Sequence, residues 1–114
     1  MSLLSEIHDI LRPVGVPVET GVFSDKAPDE YIVVVPLTEN FDYFADNQPQ
    51  VDIHEARISI FTKGNYLSIK NAAVKAFLAA EFTVTNRQYI GYEADTGYHH
   101  YNVDVANYYE TEDI

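Results

Sequence analysis

Residues 56–82, ARISIFTKGNYLSIKNAAVKAFLAAEF, change their apolar period in mid-stretch, and that change decides the fold. Up to Thr62 the period is two: Ile58 and Ile60 share one face, while Arg57, Ser59 and Phe61 share the other, as in a strand. Gly64 and Asn65 then make a turn, with Asn65 placed to cap a helix. From Tyr66 to Glu81 the period becomes helical. Tyr66, Leu67, Ile69, Ala73, Val74, Phe77 and Leu78 form the apolar arc, interrupted by Lys70, with Ala72, Ala76 and Ala79 behind.

The same reading extends outward in both directions. Residues 3–12 form an amphipathic helix with Leu3, Leu4, Ile7, Ile10 and Leu11 on one arc, Ser2 as its cap, and Pro13 and Gly15 as its stop. Val16–Phe23 is a short strand marked as an edge or a strand start by Pro17, and residues 25–28 turn the chain. Tyr31–Val35 is an unbroken β-branched run ended by Pro36, the pattern of a central strand covered on both faces. Residues 38–50 mix Asn, Asp, Gln and Pro with aromatics and read as a long loop, followed by a strand over 51–62. Val84–Glu93 and Tyr98–Tyr108 make a closing hairpin through Asp95, Thr96 and Gly97, where glycine supplies a positive φ. Glu110 to Ile114 is an acidic, frayed tail. The expected fold is a single α+β domain over residues 1–114, in the order α-β-β-β-α-β-β. Its sheet is mostly antiparallel, with two helices packed on one face.

Composition bounds the function. The 114 residues hold no cysteine, which removes thiol catalysis, zinc–thiolate sites and disulfide scaffolds. Eighteen acids against seven bases give a net charge of −11. Such a surface repels phosphates and anionic headgroups, so neither sequence-specific nucleic-acid binding nor membrane binding is expected. No apolar run approaches the ~20 residues of a membrane span, and no signal peptide is legible.

The chemistry-bearing side chains form no catalytic pattern. His99 and His100 are neighbours, but on a strand they point to opposite faces and cannot share a metal ion without a bulge. His54–Glu55 begins like a zinc-protease motif, but Ile58 stands where the second histidine is needed and the stretch is strand, not helix. The acid pairs, such as Asp42 with Asp46, are most simply solvated. No serine sits in a glycine elbow, and no glycine-rich loop cradles phosphate. No catalytic residue, metal ligand or cofactor is expected. Two stretches fit protein contact instead: Phe41, Tyr43 and Phe44 among acids in residues 38–50, and the tyrosine-rich closing hairpin with Tyr92, Tyr98, Tyr101 and Tyr108. The competing structural readings are rings folded back onto the core and ordinary cross-strand aromatic pairs.

Four stretches carry a resemblance: SLLSEIHDIL (2–11), DEYIVVVPL (29–37), the strand–turn–helix unit (56–82), and TGYHHYNVDVANYYE (96–110), where an aromatic–histidine step opens the last strand. Together they resemble the tail terminator, or tail completion, proteins of long-tailed bacteriophages and prophages. The resemblance spans nearly the whole chain and carries no catalytic signature. It implies a structural protein of the virion tail–neck region, made in the bacterial cytoplasm. It would form a homo-oligomeric ring, commonly a hexamer, that caps the tail tube and meets tail-tube and head-connector proteins without any cofactor. A ring through which DNA passes is suited by acidity. A head-closure or adaptor protein of the neck, or a small acidic binding module, are the alternative readings.

Overall fold

The computed structural model describes residues 2–21, 26–45 and 48–110. Helix α1 (Leu3–Leu11) starts where the Ser2 hydroxyl accepts from the Ser5 amide at 3.2 Å, satisfying one of the orphan donors of a helix start. Its stripe Leu3, Ile7 and Leu11 is buried. A 3-10 turn over Arg12–Val14 ends on Gly15, whose φ of 81° lets the chain reverse. Strand β1 (Val18–Thr20) follows, then β2 (Glu30–Ala45), β3 (Gln48–Thr62), helix α2 (Tyr66–Ala79), β4 (Thr83–Glu93) and β5 (Tyr98–Glu110). The expected element order, single sheet and two-helix layer all hold.

Among the described residues the strands form one five-stranded sheet in the order β1-β2-β3-β5-β4; β1 runs parallel to β2, and the other pairs are antiparallel. Alternation splits the sheet cleanly. Ile32, Val34, Ala56, Ile58, Ile60, Val103 and Val105 meet Ile7, Leu11, Ala73 and Phe77 from the helices, all with no exposed surface. The opposite face carries Arg57, Ser59, Phe61, His100, Asn102 and Asp104.

Several expectations are corrected. Residues 38–50 are not a loop for most of their length. β2 continues through Ala45, with Asn40 opposite Ile53 and Asp42 opposite Val51 in β3, so the two strands project as an arm and the molecule measures 54 Å along its long axis against 25 and 24 Å. The breakers there are individually poor strand formers, but the ladder with β3 overrides propensity. Pro36 does not end the strand. Ile32 donates its amide outward to Pro17, so the nitrogen of Pro36, four residues on, also faces outward, beyond the end of β1, where no ladder bond is lost. The register shift between Pro36 and Glu39 absorbs the irregularity.

The run Tyr31–Val35 does lie inside the sheet, between β1 and β3, but it is not covered by a layer on both faces. The open face over β2 is covered by rings, Tyr31 stacking on Phe61 at 4.8 Å and meeting Tyr98 edge-on at 5.5 Å, not by a second layer. Finally, Leu67 and Leu78 lie outside the buried stripe of α2, at 48% and 56% exposure. The stripe runs through Tyr66, Ile69, Ala73 and Phe77, and Lys70 belongs to it, with its ammonium 5.7 Å from the Tyr101 ring. The first strand was expected over Val16–Phe23 and, among the described residues, spans Val18–Thr20; of the tail expected from Glu110, Glu110 itself closes β5 opposite Val51, and Val22, Phe23, Asp25, Asp46 and 111–114 lie outside the described residues.

Candidate functional site

Where α1 meets the base of the arm, a cleft of about 1110 Å³ opens between Leu3, Leu4 and Glu6 on one side and Leu37, Asp52, His54 and Tyr109 on the other. Asp52 and His54 stand two apart on β3 and so share a face; the His54 Nε2 lies 2.8 Å from Asp52 Oδ2 and 3.9 Å from Glu39 Oε1. Tyr109, opposite Asp52 in β5, packs its ring 4.8 Å from His54 and donates its hydroxyl to Glu6 Oε1 at 3.1 Å. Asn107 Nδ2 donates to the other Glu6 oxygen at 3.3 Å. Burial, then the Glu6 charge and hydrogen bond, push the Tyr109 phenol up to about 12.

The hydrogen bonds that line this cleft tie separate elements together. Glu6 accepts from Tyr109 and Asn107, tying α1 to β5 across the whole chain. The Thr38 hydroxyl donates to Glu55 at 3.1 Å. Among the described residues no hydroxyl hydrogen-bonds to His54, whose ring nitrogen contacts Asp52. No group of three or more potential metal ligands occurs among them either.

The histidine neighbours part as alternation requires. His99 points to the helix side, its Nδ1 2.9 Å from the Tyr89 hydroxyl and its ring near Tyr66 and Tyr92. His100 stacks on Phe61 at 4.2 Å on the open face, and burial pushes its imidazole below the usual histidine range. Among the described residues its Nε2 has no hydrogen-bond partner, which a neutral ring tolerates better than a cation.

The contact candidates separate into two groups. Phe41 on the arm is 51% exposed, Tyr92 on β4 57% and Tyr108 on β5 54%. Tyr98 is instead buried in the open-face aromatic cluster, with its hydroxyl donating to the Pro28 carbonyl at 2.6 Å. Tyr101 is half-buried beneath α2, stacked on Tyr66 at 5.8 Å. The backbone of Tyr43 and Phe44 belongs to β2, and their side chains lie outside what the structure describes. Sequence reading passed over the Glu6–Tyr109–His54 cluster. The Asp-x-His spacing on a strand was a usable signal for Asp52 and His54. Nothing local pointed to Glu6, 103 positions from Tyr109.

No protein-family model matches the sequence, and no curated protein matches it. Among solved structures, the chain resembles one from the virion of a native gene transfer agent particle, with a TM-score of 0.56 at 16% identity, over 96% of this chain and 95% of that one. A second solved chain, whose description names no activity, gives 0.51 at 15% identity over 96% and 87%. At these identities the likeness is one of fold: this two-helix, five-stranded architecture is also the architecture of a virion chain. No helix among the described residues is long and apolar enough to cross a membrane.

Proposed function

We propose that this chain is a structural protein of the tail–neck region of a phage or prophage particle, of the tail-terminator kind, which caps a tail tube and joins it to the head. The observation that carries this reading is the end-to-end likeness to a chain of a gene transfer agent virion, with 96% and 95% of the two chains covered. The family resemblance supplies the finer role, a ring that is commonly a hexamer in the proteins it resembles, with tail-tube and head-connector proteins as partners. Phe41, Tyr92 and Tyr108 are the exposed aromatics that such contacts would use. No catalysis and no cofactor belong to this role. A head-closure or adaptor protein of the same region is the alternative within the class.

Deleting the reading frame from the host genome and imaging the induced particles tests it. Expected are heads without tails and tubes of irregular length, with the chain detected by mass spectrometry in intact wild-type particles. Intact, infectious particles from the deletion strain, or particles lacking the chain, would overturn the proposal. Headless tubes of normal length would favour the adaptor role.

A further inference from the structure

The sheet is open at both ends of its strand order. On one side β1 covers β2 only at Ile32–Val34, so the outer edge of the arm beyond Pro36, from Leu37 to Ala45, has no strand beside it among the described residues. On the other side the outer edge of β4 is likewise uncovered. β4 is long for an edge, 11 residues, and contains neither the lysine nor the proline that commonly blunts one. Its register shifts leave Thr85 and Ile90 unpaired with β5 and bracket a regular stretch, Asn86–Tyr89.

We infer that these two edges are the halves of one interface: β4 of one copy pairs with the arm edge of β2 in the next copy, continuing the sheet from subunit to subunit. The inference rests on the structural-protein reading for its setting and adds to it the surfaces through which copies meet. Three observations converge. Each edge presents a row of backbone donors and acceptors that a strand satisfies and a globular surface does not. Each edge carries exposed apolar side chains, Leu37 and Phe41 on the arm, Ile90 and Tyr92 on β4. Charge complements at Arg87: the one cation of β4, which also ends in Glu93, has no ion-pair partner in its own chain among the described residues, while the arm carries Glu39, whose side chain is 72% exposed, and Asp42.

Charge also ranks the rivals. Arm against arm sets carboxylates opposite carboxylates in a chain already at −11. β4 against β4, antiparallel about Ile90, sets Arg87 opposite Glu93 but closes a dimer and leaves both arms uncovered. Only arm against β4 covers both edges. Because its two halves differ, the contact is heterologous, and repetition gives a ring or a helical stack, not a two-fold dimer.

Charge swapping tests this by sedimentation velocity up to the solubility limit, with circular dichroism confirming that each variant is folded. Wild-type protein is expected to form species larger than a dimer. Arg87→Glu alone, and Glu39→Lys with Asp42→Lys alone, should each weaken association about tenfold or more. Mixing the two variants should restore it, since each then offers the edge that the other needs. Three outcomes would overturn the pairing: a wild-type monomer throughout, variants that associate as wild type does, or rescue of Arg87→Glu by Glu93→Arg in the same chain, which marks the β4 dimer. Incorporation into particles is scored separately. An Arg87→Glu protein that enters particles as wild type does sinks the edge pairing and leaves the structural role standing.

Discussion

Arg57 holds Asp104 across β3 and β5 by two hydrogen bonds, Nε to Oδ1 at 2.9 Å and Nη2 to Oδ2 at 3.1 Å. The pair sits on the sheet face that no helix covers, yet the Asp104 side chain is only 9% exposed and the Arg57 side chain 40%. Ser59, donating to Asn102 at 3.0 Å, continues a polar strip along the same face. The fork geometry fixes the β3–β5 register as well as contributing energy. Asp104→Ala leaves the guanidinium without its partner. Breaking a buried pair costs about 3–5 kcal/mol; with the cation partly hydrated, about 2 kcal/mol is expected. Urea unfolding would check it through a lowered midpoint at unchanged m-value. An Arg57→Leu, Asp104→Leu double variant should recover most of the loss, because no charge is then left unpaired.

The Tyr109–Glu6 bond predicts an alkaline limit to stability. A free tyrosine ionises near pH 10, whereas in the fold the Tyr109 phenol is pushed up to about 12, first by burial and then by Glu6. Between these values the unfolded chain has lost a proton that the folded chain keeps. Stability conferred by the neutral phenol is therefore full below pH 10 and falls as pH rises toward 12. Tyr31 is shifted in the same direction, mainly by burial. Tyr109→Phe should thus flatten the decline between pH 10 and 12 without abolishing it, and should lower stability at pH 7 by about 1 kcal/mol through the lost hydrogen bond. Thermal melts at stepped pH report both.

Glu81 stands in the left-handed region, φ 64°, directly after α2. The Phe82 amide reaches back to the Phe77 carbonyl at 3.0 Å and the Glu81 amide to Leu78 at 3.0 Å, the double bond that closes a helix through a left-handed residue. Glycine adopts this conformation without the steric cost that a Cβ brings. Its extra unfolded-state entropy offsets part of the gain. Glu81→Gly should therefore raise stability by about 0.5–1 kcal/mol, read as a higher melting temperature. An unchanged or lower value would show that the cap carries no strain.

What the sequence made legible was what local period controls. Ile58 and Ile60 against Arg57 and Ser59, and the switch at Gly64, placed a strand and a helix within three residues of their bounds. The adjacent histidines were separable because alternation is geometric. The arm was not legible, because Asn40 and Asp42 oppose a strand by their own propensity and are held in one by pairing with Ile53 and Val51. Lys70 looked like a flaw in the helical stripe because its partner, Tyr101, lies on another element. The same limit hid the cleft, whose Glu6 and Tyr109 come from opposite ends of the chain.

Phe41 separates a contact role from a packing role. It stands opposite Asp52 in the arm ladder and is 51% exposed, so its ring contributes little to the fold. Truncating an exposed side chain away from the core typically changes stability by within about 0.5 kcal/mol. Burying that ring against another subunit or a tube protein would, in contrast, make it an anchor whose loss costs about 2 kcal/mol of association, a factor of roughly thirty in affinity. Phe41→Ala is therefore expected to melt with the wild type while failing to complement a deletion strain, scored by the fraction of heads carrying tails. Tyr98→Phe is the matching control. Tyr98 is buried and donates to Pro28, so its change should lower the melting temperature and leave complementation intact as long as the protein stays folded. The reverse pattern, a destabilised Phe41→Ala that still complements, would mean that the arm ring serves the fold and that the contact surface lies elsewhere.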